Sequence, residues 1–466
     1  MKYILRIIIV VGLLLGSMTV QAQRSCKFRV YFTDKAQTMY SLEHPERFLS
    51  ERAILRRNRQ GIPVDSTDLP VCAQYINQLE ETGAKCVLTS KWNNTAVMSV
   101  ADETIAQQFL KHDFVAKIRK VWEKPDTVFS KTVDRKKIVT NKWNTTDDYY
   151  GVATDQIQIH HGEKLHKKGF KGEGMHIAVI DAGYFNVDLI KLFKHIDILG
   201  TKDFVNPESD IYAEHYHGMK VLSCMAANRP YVMVGTAPKA SYWLLRSEDN
   251  DTEQLSEEDY WSAAIEFADS VGVDIVNSSL GYYDYDNKND SYRYRDLDGK
   301  TAMISLSANK AVDKGILVIC SAGNAGTGYW KKITPPADAE KVIAVGAVNT
   351  ERLNADFSSV GNTVDGRVKP DVMAVGFLSA VAGDSGSTAI GHGTSFAAPI
   401  FCGLAACLWQ ACPWLKVDEL IQIIRESGDR SEYPDNIFGY GIPDMWKAYE
   451  KGLSVKKSSK HIDEIQ

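Results

Sequence analysis

Beyond about residue 150, short apolar segments alternate with segments of helical pattern. The apolar segments have no regularly spaced polar positions, which is typical of strands that are covered on both faces. Strands of this kind, separated by helices, indicate a parallel sheet between two layers of helices. We therefore expect an α/β domain with a doubly wound parallel sheet. The apolar segments are 175–180, 240–245, 274–278, 316–321 and 342–348, and the clearest helical segments are 261–270 and 302–314.

The first part of the chain, from residue 27 to about residue 121, has a different pattern. Its segments follow the order β-α-α-β-β-α-β, which resembles a split βαβ sandwich and predicts a small α+β domain. No residue in this part suggests catalysis. The predicted strands are 27–32, 85–89, 95–100 and 115–121, and the predicted helices are 45–58, 71–82 and 103–112.

Residues 123–149 separate the two patterns. They are rich in Lys, Asp, Thr and Asn and have no clear period, so they predict a linker that is open to proteolysis. A chain of 466 residues is long enough for two or three domains. We expect a domain at 23–122, then this linker, a large domain at 150–450 and a polar tail at 451–466.

The N-terminus has the features of a signal peptide. Lys2 and Arg6 precede the apolar run 7–15, and residues 20–22 offer a cleavage site with small residues. A membrane-spanning helix needs about 18 apolar residues, which is more than this run contains. We therefore predict a signal peptide at 1–22 and a mature chain that is exported to the periplasm, the cell surface or the medium, without a transmembrane segment.

Charge and cysteine content exclude some classes of function. The formal net charge is -5, with no strong basic or acidic excess, which argues against nucleic acid as a partner. The eight cysteines show no metal-type CxxC spacing, and Cys224, Cys320, Cys402 and Cys407 lie in apolar or small-residue segments that favour free buried thiols. The pairing of the other cysteines stays open, and the function must come from a specific site.

Four polar residues lie where catalysis could use them. Ser395 begins an apolar helical segment, and the unpaired backbone N–H groups at a helix start can hold a developing negative charge. Asp181 closes an apolar strand, His217 opens a small-residue helix, and Asn324 follows another strand. Each residue alone is more often a cap, a turn former or a structural side chain. Their combination is more informative.

Together, these segments resemble the subtilase family of serine proteases, in which Asp, His and Ser follow one another in this order along the chain. The resemblance extends from about residue 150 to about residue 450 and implies a subtilisin-like fold. The matching segments are Val179-Ile180-Asp181-Ala182-Gly183, His217-Gly218, Gly235-Thr236-Ala237-Pro238, Val276-Asn277-Ser278-Ser279-Leu280-Gly281, Ser321-Ala322-Gly323-Asn324, Phe357-Ser358-Ser359, Lys369-Pro370-Asp371-Val372, Gly393-Thr394-Ser395-Phe396-Ala397-Ala398-Pro399 and Gly439-Tyr440-Gly441.

The resemblance implies a serine endopeptidase that works through an acyl-enzyme. Ser395 would attack the peptide carbonyl carbon, and His217 would take the serine proton and then protonate the leaving amine. Asp181 would hold the imidazole of His217 and stabilise its charged form. The substrates would be proteins or peptides.

The same resemblance assigns further roles. The side-chain amide of Asn324 and the backbone N–H of Ser395 would form the oxyanion hole. Ser279, Leu280 and Gly281 would pair as an edge strand with the substrate backbone. No cofactor would be needed for catalysis, although the family allows a structural calcium ion.

By the same resemblance, residues 23–122 would be a propeptide that assists folding and acts as an intramolecular inhibitor. It would be removed by self-cleavage within the linker. The segment 282–298 could line the substrate cleft or bind calcium. Its residues Asp284, Asp286 and Asp290 lack the spacing of an EF-hand, which favours a solvated loop.

Several alternatives stay open in the sequence. A non-catalytic binding scaffold could keep the same fold, and Met219-Lys220 differ from the Thr-His that usually follow His-Gly in the family. His215 competes with His217, although only His217 precedes a glycine. Residues 383–386 mimic the nucleophile loop of chymotrypsin-like proteases, which would need an all-β double barrel. An α/β-hydrolase esterase would need Gly-x-Ser-x-Gly and Ser before Asp and His, which this chain lacks.

Overall fold

The computed structural model describes residues 25–125 and 135–463, with side chains described up to residue 456. Within these ranges we distinguish an N-terminal unit, residues 25–125, and a large unit, residues 135–463. The predicted signal peptide at 1–22 and residues 126–134 of the predicted linker lie outside the described residues.

The N-terminal unit is a four-stranded antiparallel sheet with strand order β2-β3-β1-β4 and three α-helices. The predicted order of elements is confirmed. The first helix begins at residue 51 rather than 45, because the Ser50 side chain accepts a hydrogen bond from the backbone N–H of Ala53 and caps the helix there. The elements are β1 Cys26–Phe32, α1 Glu51–Gln60, α2 Ala73–Glu80, β2 Lys85–Ser90, β3 Thr95–Val100, α3 Glu103–Phe109 and β4 Val115–Glu123, with 3₁₀ turns at Pro45–Arg47 and Ser66–Asp68.

The large unit is built on a seven-stranded sheet in which all described pairings are parallel, so the predicted parallel α/β fold is confirmed. The strand order is β13-β12-β11-β10-β5-β9-β6. The strands are β5 His176–Asp181, β6 Asp197–Asp203, β7 Asn228–Arg229, β8 Met233–Val234, β9 Ser241–Arg246, β10 Ile275–Ser278, β11 Leu317–Ser321, β12 Ile343–Val348, β13 Val372–Val375, β14 Ser379–Ala382 and β15 Thr388–Gly391.

Helices cover this sheet, and two short antiparallel hairpins, β7–β8 and β14–β15, lie outside it. The helices are α4 Arg135–Ile138, α5 Thr154–Gln158, α6 Gly162–Lys167, α7 His217–Ala226, α8 Ser256–Val271, α9 Met303–Asp313, α10 Thr394–Ala411, α11 Val417–Ser427 and α12 Met445–Asp463, with 3₁₀ turns at Lys191–Phe193 and Tyr294–Asp296.

The direction in which the chain adds strands to the sheet reverses beside β5. Strands β6 and β9 lie on one side of β5, and the later strands β10, β11, β12 and β13 lie on the other side. In open parallel sheets, ligands bind beyond the carboxyl ends of the strands at such a reversal. The ends of β5, β10 and β11 therefore mark where a functional site is expected.

Helix α10 is the central element of the core. It packs against β10 to β13 and against α7, and its small and apolar residues allow close approach. A Cβ atom at Gly403 would lie 2.1 Å from Thr236 Oγ1, so no larger residue fits there. By length and composition α10 could cross a membrane, but 94% of it is buried inside the protein. We therefore assign α10 to the core of the large unit.

Both ends of the large unit pack against the rest of it. At the N-terminal end, Arg135 forms ion pairs with Asp188 and Asp210, and Thr146 N–H donates to Tyr231 O. The boundary predicted at residue 451 falls inside α12, where the Trp414 indole donates to the Gly452 carbonyl oxygen.

Candidate active site

Asp181 and His217 form a hydrogen-bonded pair at the carboxyl end of β5. Asp181 is fully buried, and its Oδ1 atom lies 2.7 Å from Nδ1 of His217, the first residue of α7. A Cβ atom at Gly218 would lie 2.4 Å from Gly183 O and 2.9 Å from Asp181 Cβ. The glycine after the histidine therefore allows α7 to approach the strand end closely enough for this pair to form.

The electrostatics of this pair favour a charged imidazole. Burial lowers the pKa of His217, but the charge of Asp181 and the hydrogen bond that His217 donates to it outweigh this effect. The pKa of His217 is therefore raised above its ordinary value of 6.5. Because Nδ1 donates to a carboxylate, Nε2 is the atom of the neutral ring that can accept a proton.

Ser395 lies at the start of α10 and is tied to the segment that follows β10. Its hydroxyl donates to the Ser279 carbonyl oxygen at 3.2 Å, and the Ser279 hydroxyl donates to the Ser395 carbonyl oxygen at 2.9 Å. The ring of His217 faces that of Phe396, with centroids 6.0 Å apart. The Ser395 hydroxyl bonds to Ser279 rather than to His217 in this arrangement.

Asn324 is held beside the start of α10. Its Oδ1 atom accepts hydrogen bonds of 2.9 Å from both the backbone N–H and the hydroxyl of Thr394. The Thr394 hydroxyl in turn accepts from Gly323 N–H, in a turn where Gly323 has a φ of 107°. Because Oδ1 accepts both bonds from Thr394, the two N–H donors of the Asn324 amide take no part in them.

These side chains surround one cleft of about 410 Å³, which we call the candidate cleft. His217, Asn324, Ser395 and the segment Ser279 to Gly281 line it, and Asp181 lies behind His217. The structure thus brings together all seven residues that the sequence singled out. Their roles are considered under Proposed function.

His215 also lines the candidate cleft, but its bonding differs from that of His217. Its Nδ1 atom accepts the backbone N–H of His217 at 3.4 Å, and its ring packs on Tyr216 with centroids 4.3 Å apart. Burial, followed by the charge of His217, lowers the pKa of His215. The geometry therefore favours His217 over His215 as the partner of Asp181.

The chymotrypsin-like alternative is excluded by the fold. Residues 383–386 form the turn between β14 and β15 of an α/β protein. The Ser385 hydroxyl bonds to Ser387 Oγ, and its carbonyl oxygen accepts the backbone N–H groups of Thr140 and Asn141. This turn is therefore hydrogen-bonded to Thr140 and Asn141, which follow α4, and has a structural role.

Sequence reasoning missed three residues that also line the candidate cleft: Glu248, Glu253 and Thr334. Glu248 follows β9, whose last residue Arg246 pairs with Asp181 of β5. An acidic segment directly after an apolar strand was a signal that could have found the two glutamates. Tyr282 belongs to the segment expected to be a solvated loop, yet it is only 1% exposed.

Metal binding has no counterpart in the described residues. No group of three or more His, Cys, Asp or Glu side chains in residues 25–125 and 135–463 is arranged to hold a metal ion. In the segment 282–298, Asp284 accepts hydrogen bonds from Lys288 at 2.8 Å and Ser291 at 3.1 Å instead. All eight cysteines are free thiols.

A parallel sheet with a buried Asp–His pair and a helix-start serine at its carboxyl edge defines the subtilisin-like class of folds. Comparison with protein families agrees: the Subtilase family profile matches residues 172–441, and the profile of the Peptidase S8 propeptide domain of Bacteroidota matches residues 27–138. The chain belongs to the subtilase family, as the sequence predicted.

Known relatives and a solved structure fit this assignment. Subtilisin NAT of Bacillus subtilis subsp. natto is 31% identical over 283 residues, which cover 59% of this chain and 65% of the relative. Serine protease AprX of Bacillus subtilis strain 168 is 30% identical over 317 residues, which cover 60% of this chain and 68% of the relative. The crystal structure of MycP1 from the ESX-1 type VII secretion system has a TM-score of 0.53 at 20% identity, covering 67% of this chain and 88% of that one, which shows a shared fold.

The match spans just under two thirds of the length of subtilisin NAT. Nothing in these comparisons supports the alternative of a non-catalytic scaffold.

Proposed function

We propose that this protein is an exported serine endopeptidase that hydrolyses peptide bonds through an acyl-enzyme. The observation that carries the proposal is the 2.7 Å hydrogen bond between Asp181 and His217 in a cleft that Ser395 and Asn324 also line. A nucleophile, a base, a group that orients the base and an amide donor are the parts that acyl transfer requires.

In this mechanism the Ser395 hydroxyl turns from Ser279 toward Nε2 of His217 when a substrate binds. Ser395 Oγ then forms a bond to the scissile carbonyl carbon while its proton moves to His217. The carboxylate of Asp181 stabilises the resulting imidazolium. His217 passes the proton to the leaving amine, and a water molecule hydrolyses the acyl-enzyme by the same steps in reverse order.

The negative charge on the carbonyl oxygen is stabilised by the Asn324 amide and the backbone N–H of Ser395. The bonds from Thr394 hold the Asn324 amide in place, so its donors need no reorganisation during the reaction. The substrate backbone pairs with Ser279, Leu280 and Gly281 at the edge of the cleft. A Cβ atom at Gly281 would lie 2.1 Å from Thr334 Oγ1, so a glycine is needed where the substrate passes.

We also propose that the N-terminal unit acts as an intramolecular inhibitor. Gln254 exchanges two hydrogen bonds with the backbone of Glu123: the Glu123 N–H donates to Gln254 Oε1 at 2.8 Å, and Gln254 Nε2 donates to the Glu123 carbonyl oxygen at 3.0 Å. These bonds hold the end of β4 beside Glu253, which lines the candidate cleft. A chain that continues from this point is well placed to reach the cleft, and we propose that self-cleavage falls in the linker at 123–149.

The domain boundaries and the export of the chain are part of the same proposal. We assign the signal peptide to 1–22, the propeptide to 23–122, the catalytic domain to 150–450 and the tail to 451–466. A protease that is made with a propeptide stays inhibited until it has left the cell, which fits a signal peptide before the N-terminal unit.

The proposal is tested with the full-length chain and its Ser395→Ala variant. We expect the wild type to lose about 100 to 130 N-terminal residues and to react with a fluorophosphonate probe, which labels activated serines. Ser395→Ala should do neither, whereas the matched control Ser385→Ala should behave as the wild type does. A wild type that is folded but neither cut nor labelled would point to a non-catalytic scaffold.

A further inference from the structure

Two carboxyl groups, those of Glu248 and Glu253, line the candidate cleft on the side of His217. Both belong to the segment between β9 and α8. The segment is fixed at Glu253, whose N–H donates to Asp286 Oδ2 at 3.1 Å and whose carbonyl oxygen accepts Asp286 N–H at 2.9 Å. The backbone that carries Glu253 is therefore held in place at the cleft wall.

Behind them lie buried polar groups without partners. Tyr282 lines the cleft and is 1% exposed, and its hydroxyl has no hydrogen-bond partner among the described residues. Glu257, in the first turn of α8, is fully buried; Oε1 accepts Asp249 N–H at 2.8 Å, while Oε2 has no partner within the described residues. Buried polar groups without partners are unfavourable, so such a wall favours a ligand that supplies donors.

Arg246, whose charge acts on Glu248, is already bound elsewhere. Arg246 pairs with Asp203 at 2.9 Å and with Glu214 at 3.3 Å, and its Nε donates to the Ala182 carbonyl oxygen at 3.1 Å. Its charge is thus largely neutralised by other acids. The carboxyl groups of the cleft wall are therefore left for a cationic ligand to balance.

The two glutamates have raised pKa values, so a bound cation would favour their ionised forms. Burial raises the pKa of Glu248 to about 7, to which the charge of Asp181 adds and which the charges of His217 and Arg246 oppose. Burial and the charges of Glu248, Asp286 and Asp284 raise the pKa of Glu253 to about 8.

We infer that Glu248 and Glu253 form a subsite for a cationic side chain, Lys or Arg, of the peptide substrate on the His217 side of the cleft. An ammonium or guanidinium group would supply donors to both carboxylates in front of the buried Tyr282, and charge-assisted hydrogen bonds of this kind are about twice as strong as neutral ones. The aliphatic stem of the side chain would pack on the ring of Tyr283, which is partly exposed and also lines the cleft. The inference rests on the proposed function and names its substrate class.

The test measures kcat/KM of the processed enzyme on fluorogenic peptides. In matched pairs, one position at a time carries either Lys or norleucine, or either Arg or citrulline, which differ mainly in charge. We expect one position at which the cationic peptide is preferred by about tenfold or more. Glu248→Gln and Glu253→Gln should each reduce this ratio severalfold, and Glu173→Gln, at an exposed glutamate outside the cleft, should leave it unchanged.

Three outcomes distinguish a failure of the cationic subsite from a failure of the proposed protease function. Equal cleavage of charged and neutral peptides by an enzyme that the fluorophosphonate labels would overturn the subsite and leave the protease intact. A cationic preference that neither glutamine variant reduces, in variants that are still labelled, would overturn the assignment to these residues. Failure of both labelling and cleavage would overturn the protease and the subsite together.

Discussion

Arg57 of the N-terminal unit donates to Asp269 of α8 at 2.8 Å, and both side chains are completely buried. Arg56 and Lys91 bond to the same carboxylate. Burial opposes ionisation, but these three cations outweigh it and hold the pKa of Asp269 well below its ordinary value. A single acid of the large unit therefore anchors three cations of the N-terminal unit.

We expect Asp269→Asn to loosen the N-terminal unit. The variant would remove the shared counterion of three buried cations, of which Arg57 keeps a second partner in Asp68. Breaking a buried ion pair in this way costs about 3–5 kcal/mol. In a Ser395→Ala background, hydrogen exchange of the amides in residues 25–125 should become faster by one to several orders of magnitude.

Asp313→Asn is the matched control, because its partner Lys341 lies on the surface and exposed pairs contribute about 0–1 kcal/mol. Unchanged exchange in Asp269→Asn would show that the other contacts, such as the buried ion pairs Arg29–Asp259 and Lys314–Asp68, hold the two units together without it.

The pH dependence of kcat/KM should reflect the raised pKa of His217. The imidazole must be neutral to take the Ser395 proton, so activity is present above the pKa of His217 and is lost as the pH falls through it. Because the charge of Asp181 raises this pKa, the acidic limb should have its midpoint above pH 6.5.

The charge of Glu248 contributes to the same shift, so Glu248→Gln should move the midpoint to lower pH. Glu173→Gln should leave it in place. A midpoint at or below 6.5 in the wild type, measured on a neutral peptide, would contradict the electrostatic environment described for His217.

The sequence predicted correctly those strands whose side chains are buried on both faces of the sheet. Strands β5 and β10 to β12 are buried on both faces and read as continuous apolar runs. The edge strand β6 pairs only with β9 and leaves several of its side chains exposed, so its sequence shows no apolar run. Position in the sheet, rather than propensity, decides whether a strand can be recognised.

The site shows a similar limit. Asp181, His217 and Ser395 stand in short motifs whose glycines are fixed by close packing, as at Gly218. Glu248 and Glu253 stand in no such motif. They reach the cleft because β9 lies next to β5, and the order of strands in a sheet is a long-range property that local patterns do not reveal.

Gly218→Ala should reduce activity without unfolding the protein. The added methyl group would meet Gly183 O and Asp181 Cβ at distances that real contacts do not show, so α7 must shift and move His217 away from Asp181. A displacement of about 1 Å in a catalytic group costs about 100-fold in rate. The rate of fluorophosphonate labelling measures this loss.

Gly328→Ala is the control for that substitution, since its nearest neighbour would be Ala325 O at 3.4 Å. Labelling of Gly218→Ala at the wild-type rate would show that the helix tolerates the methyl group and that the glycine has another role.

Asn324 offers a way to separate a donor from an acceptor within one side chain. Its Oδ1 atom holds the start of α10 through Thr394, whereas its N–H donors are assigned to the oxyanion. Asn324→Asp keeps the acceptor and removes the donors, while Asn324→Ala removes both.

If the donor is what matters for the chemistry, both variants should lose about 100- to 1,000-fold in kcat with little change in KM. Thermal unfolding should distinguish them, because only Asn324→Ala leaves the Thr394 N–H without its partner. A loss of activity in Asn324→Ala alone would mean that Asn324 acts by positioning the start of α10, and that the oxyanion is stabilised by the backbone N–H of Ser395 without the amide.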